Sequence, residues 1–272
     1  MGLAFHDPSR LVLSYNRGQI MKQFRALAFA CVFAASAPAL AQEKAATKPG
    51  FAFPASQPVR ILVFRPDVKV GSQSAGGVVT PNAEWTANAR KLLGDALVAA
   101  RPGGSAQIVF MPELEGDNAT LLADYRALFK GVATTVLQHR LFKGDRLPTK
   151  ITGFEYTLGP GAAKLGELGG GDYGLFLVTN DAYGDSGRKA LQVFGLLMGA
   201  ATGFGGMVSS GVHVGYAGLV DLKTGDLIWL NADLKMGGDV READGASKRV
   251  VQLLEEFPQS GQSGAVATTA GK

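Results

Sequence analysis

The sequence predicts an α/β fold: a single domain with a mixed β-sheet, helices packed on it, and a C-terminal β-hairpin followed by a helix. Three observations carry that prediction. Short β-branched runs alternate with segments of helical period, which favours a sheet covered by helices. Two apolar runs near the C-terminus flank Lys223-Thr224-Gly225-Asp226, a hairpin signature that makes the sheet mixed. No repeat of 20–50 residues and no second compositional block divides the chain.

Val59–Phe64 is apolar and β-branched, the pattern of a buried strand. Val68–Thr80 is interrupted by glycine and reads as an edge hairpin that Pro81 stops. Asn82 is placed to cap a helix with Glu84 in its first turn, and Trp85, Ala89, Leu92, Leu93, Ala96 and Ala100 recur at helical spacing. Pro102-Gly103-Gly104 ends it, and Gln107–Met111 is a second strand. Asp117 or Asn118 caps the next helix, whose stripe runs from Leu121 and Leu122 through Phe129 to Val136 and Leu137. Phe154–Leu158 reads as a short strand and Ala162–Leu168 as a small helix. Tyr173–Thr179 is apolar enough for the middle of the sheet. Val214–Leu222 and Leu227–Leu234 are the hairpin strands, and Gly225 supplies the positive φ of their turn. The last helix spans 243–257, with Ala246, Val250, Leu253, Leu254 and Phe257 inward.

The N-terminal region reads as an address. Met21-Lys22-Gln23-Phe24-Arg25 is basic, 26–37 is uncharged and apolar, and Ala39-Leu40-Ala41 offers small residues to a signal peptidase. The organisation expected is an upstream extension at 1–20, a signal peptide at 21–41, a flexible linker at 42–58, the α/β domain at 59–258 and a disordered tail at 259–272. This implies a periplasmic protein. Cys31 is the only cysteine and lies inside the apolar run; cleavage after Ala41 is favoured over lipidation at Cys31, and the mature protein then has no thiol chemistry. Residues 1–41 carry four of the 27 Lys and Arg and one of the 23 Asp and Glu. The remainder holds 23 and 22, a net of +1, with no footprint for nucleic acid.

Two segments, Gly171-Asp172-Tyr173-Gly174-Leu175-Phe176-Leu177-Val178 and Gly215-Tyr216-Ala217-Gly218-Leu219-Val220-Asp221-Leu222-Lys223-Thr224-Gly225-Asp226-Leu227-Ile228-Trp229, give the chain a resemblance. It resembles exported bacterial α/β proteins such as the curli-secretion lipoprotein and the activator lipoproteins of penicillin-binding proteins. The resemblance is architectural and covers Val59 to Phe257. It implies an assembly factor or binding module in the cell envelope, and it brings no catalytic residues.

The residues themselves offer few sites. His139 and His213 are the histidines after residue 41, and they are too far apart in sequence for a short-spaced metal motif, so no metal and no cofactor is expected. No phosphate-binding loop of the P-loop type occurs. The stretch Asn180–Arg188 reads as a polar loop that leaves a central strand and opens a helix, where open α/β sheets place binding crevices. Asp181, Tyr183, Asp185 and Arg188 are its candidate interface residues, against the alternative of a solvated capping loop. A hydrolase built on Ser186, His213 and an aspartate, using the crevice near Asp181 and Ser186, is the enzymatic alternative, although the Gly-x-Ser-x-Gly elbow is incomplete. No charged residue lies between Lys189 and Asp221, and Gly195, Gly199 and Gly203 recur every fourth residue as a glycine zipper. Segment 190–211 is open to three readings: a buried helix, a face for self-association or partner docking, and membrane insertion. A helix over 189–204 measures about 24 Å, short of a bilayer core of about 30 Å.

Overall fold

β6 (Tyr173–Gly184) is buried over most of its length, and the other strands are arranged about it. On one side β7 (Gly211–Asp221) runs antiparallel, from Tyr173↔Asp221 to Tyr183↔Gly211. The other side is shared by two strands set end to end. β2 (Arg60–Val63) lies parallel to Tyr173–Leu175, and β3 (Asp67–Gln73) lies parallel to Val178–Gly184. Pro66, which has no amide hydrogen to donate, stands at the break between them. β8 (Leu227–Asp233) follows β7, and β1 (Glu43–Thr47) pairs antiparallel with β8. β5 (Gln107–Phe110) is parallel to β2, and β4 (Val79–Pro81) closes a hairpin with β3. The sheet is thus mixed and eight-stranded, in the order β1-β8-β7-β6-β2-β5, with β3 and β4 branching from β6. This computed structural model describes residues 43–54, 58–141, 147–150, 153–187 and 211–259, all within the compact unit Ala41–Lys272.

Alternation along the strands divides the core into two faces. Ile61, Val63, Leu175, Leu177 and Trp229 point to the face covered by α1 (Ala83–Ala100) and α4 (Ala243–Leu253). Leu62, Phe64, Phe176, Val178 and Leu230 point to the face of α2 (Gly116–Val136) and α3 (Ala163–Gly169). The result is the single-domain α/β arrangement that the sequence predicts, a mixed sheet with helices packed on it, and the structure places those helices on both faces. On the second face Phe176 stacks between Phe64 at 4.2 Å and Phe129 at 4.6 Å. Gly218 and Gly174 make room for this stack: a Cβ on Gly218 would lie 2.6 Å from Phe129, and one on Gly174 2.7 Å from Phe64.

Several expectations hold. Asn82 caps α1, its Oδ1 accepting the Trp85 amide at 2.9 Å. The hairpin turns at Gly225 with φ 79°. Others are corrected. α2 begins at Gly116 after Glu115 with no side-chain cap, so neither Asp117 nor Asn118 plays that role. Phe154–Leu158 forms no strand, only the bridge Thr157↔Asp226. The linker expected at 42–58 contains β1, and beyond it Phe53 is buried, edge-on to Phe51 and Tyr173 at 5.1 Å each. Two aromatic anchors in Phe51-Ala52-Phe53 hold down a segment whose prolines suggested freedom. Residues 1–20 and 21–41, and the tail beyond Gln259, lie outside the described residues, as do 188–210.

Candidate functional site

The stretch expected as a polar loop is the second half of β6. It stays in the ladder to Gly184, between β3 and β7. Thr179, Asp181 and Tyr183 therefore share one face with Leu175 and Leu177, the face that α4 covers. A strand whose buried face is polar reads by composition as a loop, and this is the reason for the difference.

The buried carboxylate of Asp181 is the centre of the site, with its side chain fully enclosed. Arg249, also fully enclosed, reaches it from α4. Its Nη2 donates to Asp181 Oδ1 and its Nη1 to Asp181 Oδ2, both at 2.9 Å. Nη1 also donates to Thr179 Oγ1 at 2.8 Å, Nη2 to the Gly238 carbonyl at 3.1 Å, and Nε to the Gly237 carbonyl at 3.3 Å. All five guanidinium N–H groups are thereby used. Thr179 Oγ1 donates to Asp181 Oδ2 at 2.7 Å. His213, directly across the ladder on β7, sets Nδ1 2.8 Å from Asp181 Oδ1. Burial pushes the Asp181 carboxyl up, but the hydrogen bonds from His213 and Arg249 and the Arg249 charge outweigh it and hold the group below the usual carboxylate range.

A second layer surrounds this cluster. Tyr183 lies 4.7 Å from the His213 ring, and its hydroxyl accepts the Val240 amide at 2.9 Å. Burial, and then the Asp181 charge, push its phenol up. The Arg241 guanidinium sits over the Tyr183 ring at 3.8 Å and over Trp85 at 4.5 Å. It is also hydrogen-bonded to Asp239, which holds that carboxyl down to about 2. The segment 236–242 is thus fastened to β6, α1 and α4 at once.

With Nδ1 facing a carboxylate oxygen, which can only accept, His213 donates from Nδ1 to Asp181 and its Nε2 is the ring nitrogen that Asp181 does not engage. The His213 side chain is 19% exposed. Ser186, the nucleophile the enzymatic alternative needs, is exposed and makes no hydrogen bond to His213 or Asp181 among the described residues. The Asp185 amide donates to the Gln73 carbonyl at 2.9 Å. Arg188, Gly195, Gly199 and Gly203 lie outside the described residues. The structure therefore joins Asp181 and Tyr183 in one cluster on a strand, where the sequence predicts a polar loop, and Asp181 is 3% exposed. Sequence reasoning missed Arg249. Its signal was present, since Ala246, Arg249, Val250 and Leu253 occupy i, i+3, i+4 and i+7, and a charge in that stripe points inward.

Among the described residues no group of three or more His, Cys, Asp or Glu side chains is placed to hold a metal. No helix among them is long and apolar enough to cross a membrane. No family model and no curated protein matches the chain. Among solved structures it is similar to the PelC dodecamer from Paraburkholderia phytofirmans in space group P6, with 12% identity over 81% of this chain and 98% of that one, and a TM-score of 0.36. A point variant of that dodecamer in space group C2 is similar over 81% and 99%, with 12% identity and a TM-score of 0.33. At this similarity neither structure assigns a family or an activity to the chain.

Proposed function

We propose that the protein is a non-enzymatic periplasmic module that binds, or helps assemble, a protein partner in the cell envelope. The observation that supports this reading is the outer edge of β5, which pairs with β2 on one side and with no described strand on the other. Beside that edge a groove of about 450 Å³ runs along the C-terminal end of α1. Val98, 55% exposed, and Phe110, 41% exposed, line it with Ile108. A row of open N–H and C=O groups next to an apolar hollow suits an added strand with apolar side chains at alternate positions. Among the described residues Arg101 is the one charged residue lining the groove, so the segment that fits carries a carboxylate to meet it. The resemblance of 171–178 and 215–229 to exported envelope proteins points the same way. The Asp181–Arg249 pair then acts as a clamp that fixes segment 236–242, with all five guanidinium N–H groups of Arg249 used inside the fold.

The test is site-specific photo-crosslinking in cells making the full chain, followed by osmotic-shock fractionation. A photoreactive residue at Phe110 is expected to give one discrete heavier species that Ile108→Lys abolishes, while Leu128, exposed on α2, gives none. An adduct with the mass of two chains replaces the envelope partner with a second copy of this protein. Equal labelling from positions 110 and 128, or no adduct at 110, overturns the reading.

A further inference from the structure

The ladder along β6 has a gap. β2 pairs only as far as Val63↔Leu175 and β3 begins at Asp67↔Val178. Phe176 and Leu177 therefore face the connection through Arg65 and Pro66. A small cavity opens there, lined by Arg65, Asp67, Arg126 and Lys130 over Phe129 and Phe176. Its inner space is about 10 Å³, room for a single oxygen-sized group. It lies at the carboxyl end of β2, where the neighbour of β6 changes, the kind of position at which open α/β sheets hold ligands.

Three cations meet one carboxylate in this lining. Lys130 Nζ bonds Asp67 at 2.8 Å and so occupies the single acid. Arg65 turns outward, its Nη1 3.1 Å from Glu113 in an exposed pair. Arg126 Nη2 donates to the Arg65 carbonyl at 3.1 Å. Its Nε–H is buried and has no acceptor among the described residues. Burial pushes the Arg126 guanidinium below its ordinary value, and the Arg65 and Arg90 charges add to that against the pull of Asp67. A buried guanidinium N–H with nothing to donate to is the clearest unmet demand for an acceptor among these groups.

We propose that this gap is an anion-binding site in which one terminal oxygen of a carboxylate or phosphate group enters end-on and accepts the Arg126 Nε–H. Arg65 and Lys130 stand at the rim, each already paired with an acid, so the surplus positive charge is that of Arg126 itself. The space admits the oxygen alone, so the body of the ligand stays outside, and recognition is of an anionic end group.

The test is titration of the purified protein with sodium phosphate and, separately, sodium acetate, against sodium chloride at equal ionic strength. The readout is the arginine Nε–H region of proton–nitrogen correlation spectra. The Arg126 signal, identified by its loss in Arg126→Lys, is expected to move saturably with phosphate or acetate and to stay fixed in chloride. Arg65→Ser is expected to weaken the apparent affinity several-fold. A response to phosphate alone assigns a phosphate-bearing ligand, and one to acetate alone a carboxylate. A signal that ignores both anions, or that moves equally in chloride, overturns the proposal. Should Arg126→Lys fail to fold, Arg65→Ser and Lys130→Met, both at partly exposed side chains, carry the same readout: an unchanged affinity in both overturns it.

Discussion

Arg249 and Asp181 are each fully enclosed, and each is the other's main compensation for leaving water. Removing one strands the other. Arg249→Met is therefore expected to lower the unfolding free energy by about 3–5 kcal/mol, read as a fall in the urea midpoint. The double variant Asp181→Asn/Arg249→Met should recover part of that loss, because no charge is then left uncompensated. The same pair shapes the acid limb. A carboxyl held low in the fold contributes stability that is fully present above its unfolded value, near 3.8, and is lost as the pH falls through its folded value. Stability should therefore decline below about pH 4, and less steeply in Asp181→Asn. Asp239, held down to about 2, has the same sign and keeps the variant's slope from vanishing. An identical acid limb in wild type and Asp181→Asn would contradict this account.

At the scale of elements, the aromatic stack on the α2 face and the small residues of β6 and β7 are one device. Phe129 comes close enough to stack on Phe176 because Gly218 has no side chain beneath it. Gly218→Ala places a methyl 2.6 Å from Phe129 and should destabilise by about 1–3 kcal/mol. Gly94→Ala, in α1 where a Cβ meets nothing, should instead stabilise by about 0.5–1 kcal/mol. Melting temperatures of the two variants moving in the same direction would refute the packing argument. The strands and helices that sequence alone predicts are those with a mainly apolar stripe or run: β2, β5, the first half of β6, the β7–β8 hairpin, α1, α2 and α4, even where a polar residue such as Asn231, Asp233 or Arg249 is buried among them. What escaped were elements held by something other than an apolar period. β1 is a polar–alanine strand fixed by its partner β8 and by Phe53. The second half of β6 is fixed by Arg249 from a helix 68 positions away in the chain. Composition has no means of pairing an aspartate in one segment with an arginine in another, and so Asp181 read as part of a polar loop.

For the whole molecule, β6 joins the two halves of the fold, since β2, β3 and β7 all pair with it. β1 contributes differently, for it only covers the outer flank of β8. Deleting Glu43–Thr47 should leave the helices and the remaining ladder in place, while the β8 amides that face β1 exchange with deuterium much faster. Unaltered exchange in β8 would mean that β1 adds nothing to that flank. The placement of β1 also orders events in time. Glu43 waits for Asp233, about 190 residues later in synthesis, before the rung they share can form. A ribosome product that stops short of the hairpin holds its first strand with nothing to pair to and offers two raw strand edges, which proteases and aggregation both find. Closure of that last rung therefore separates finished chains from unfinished ones.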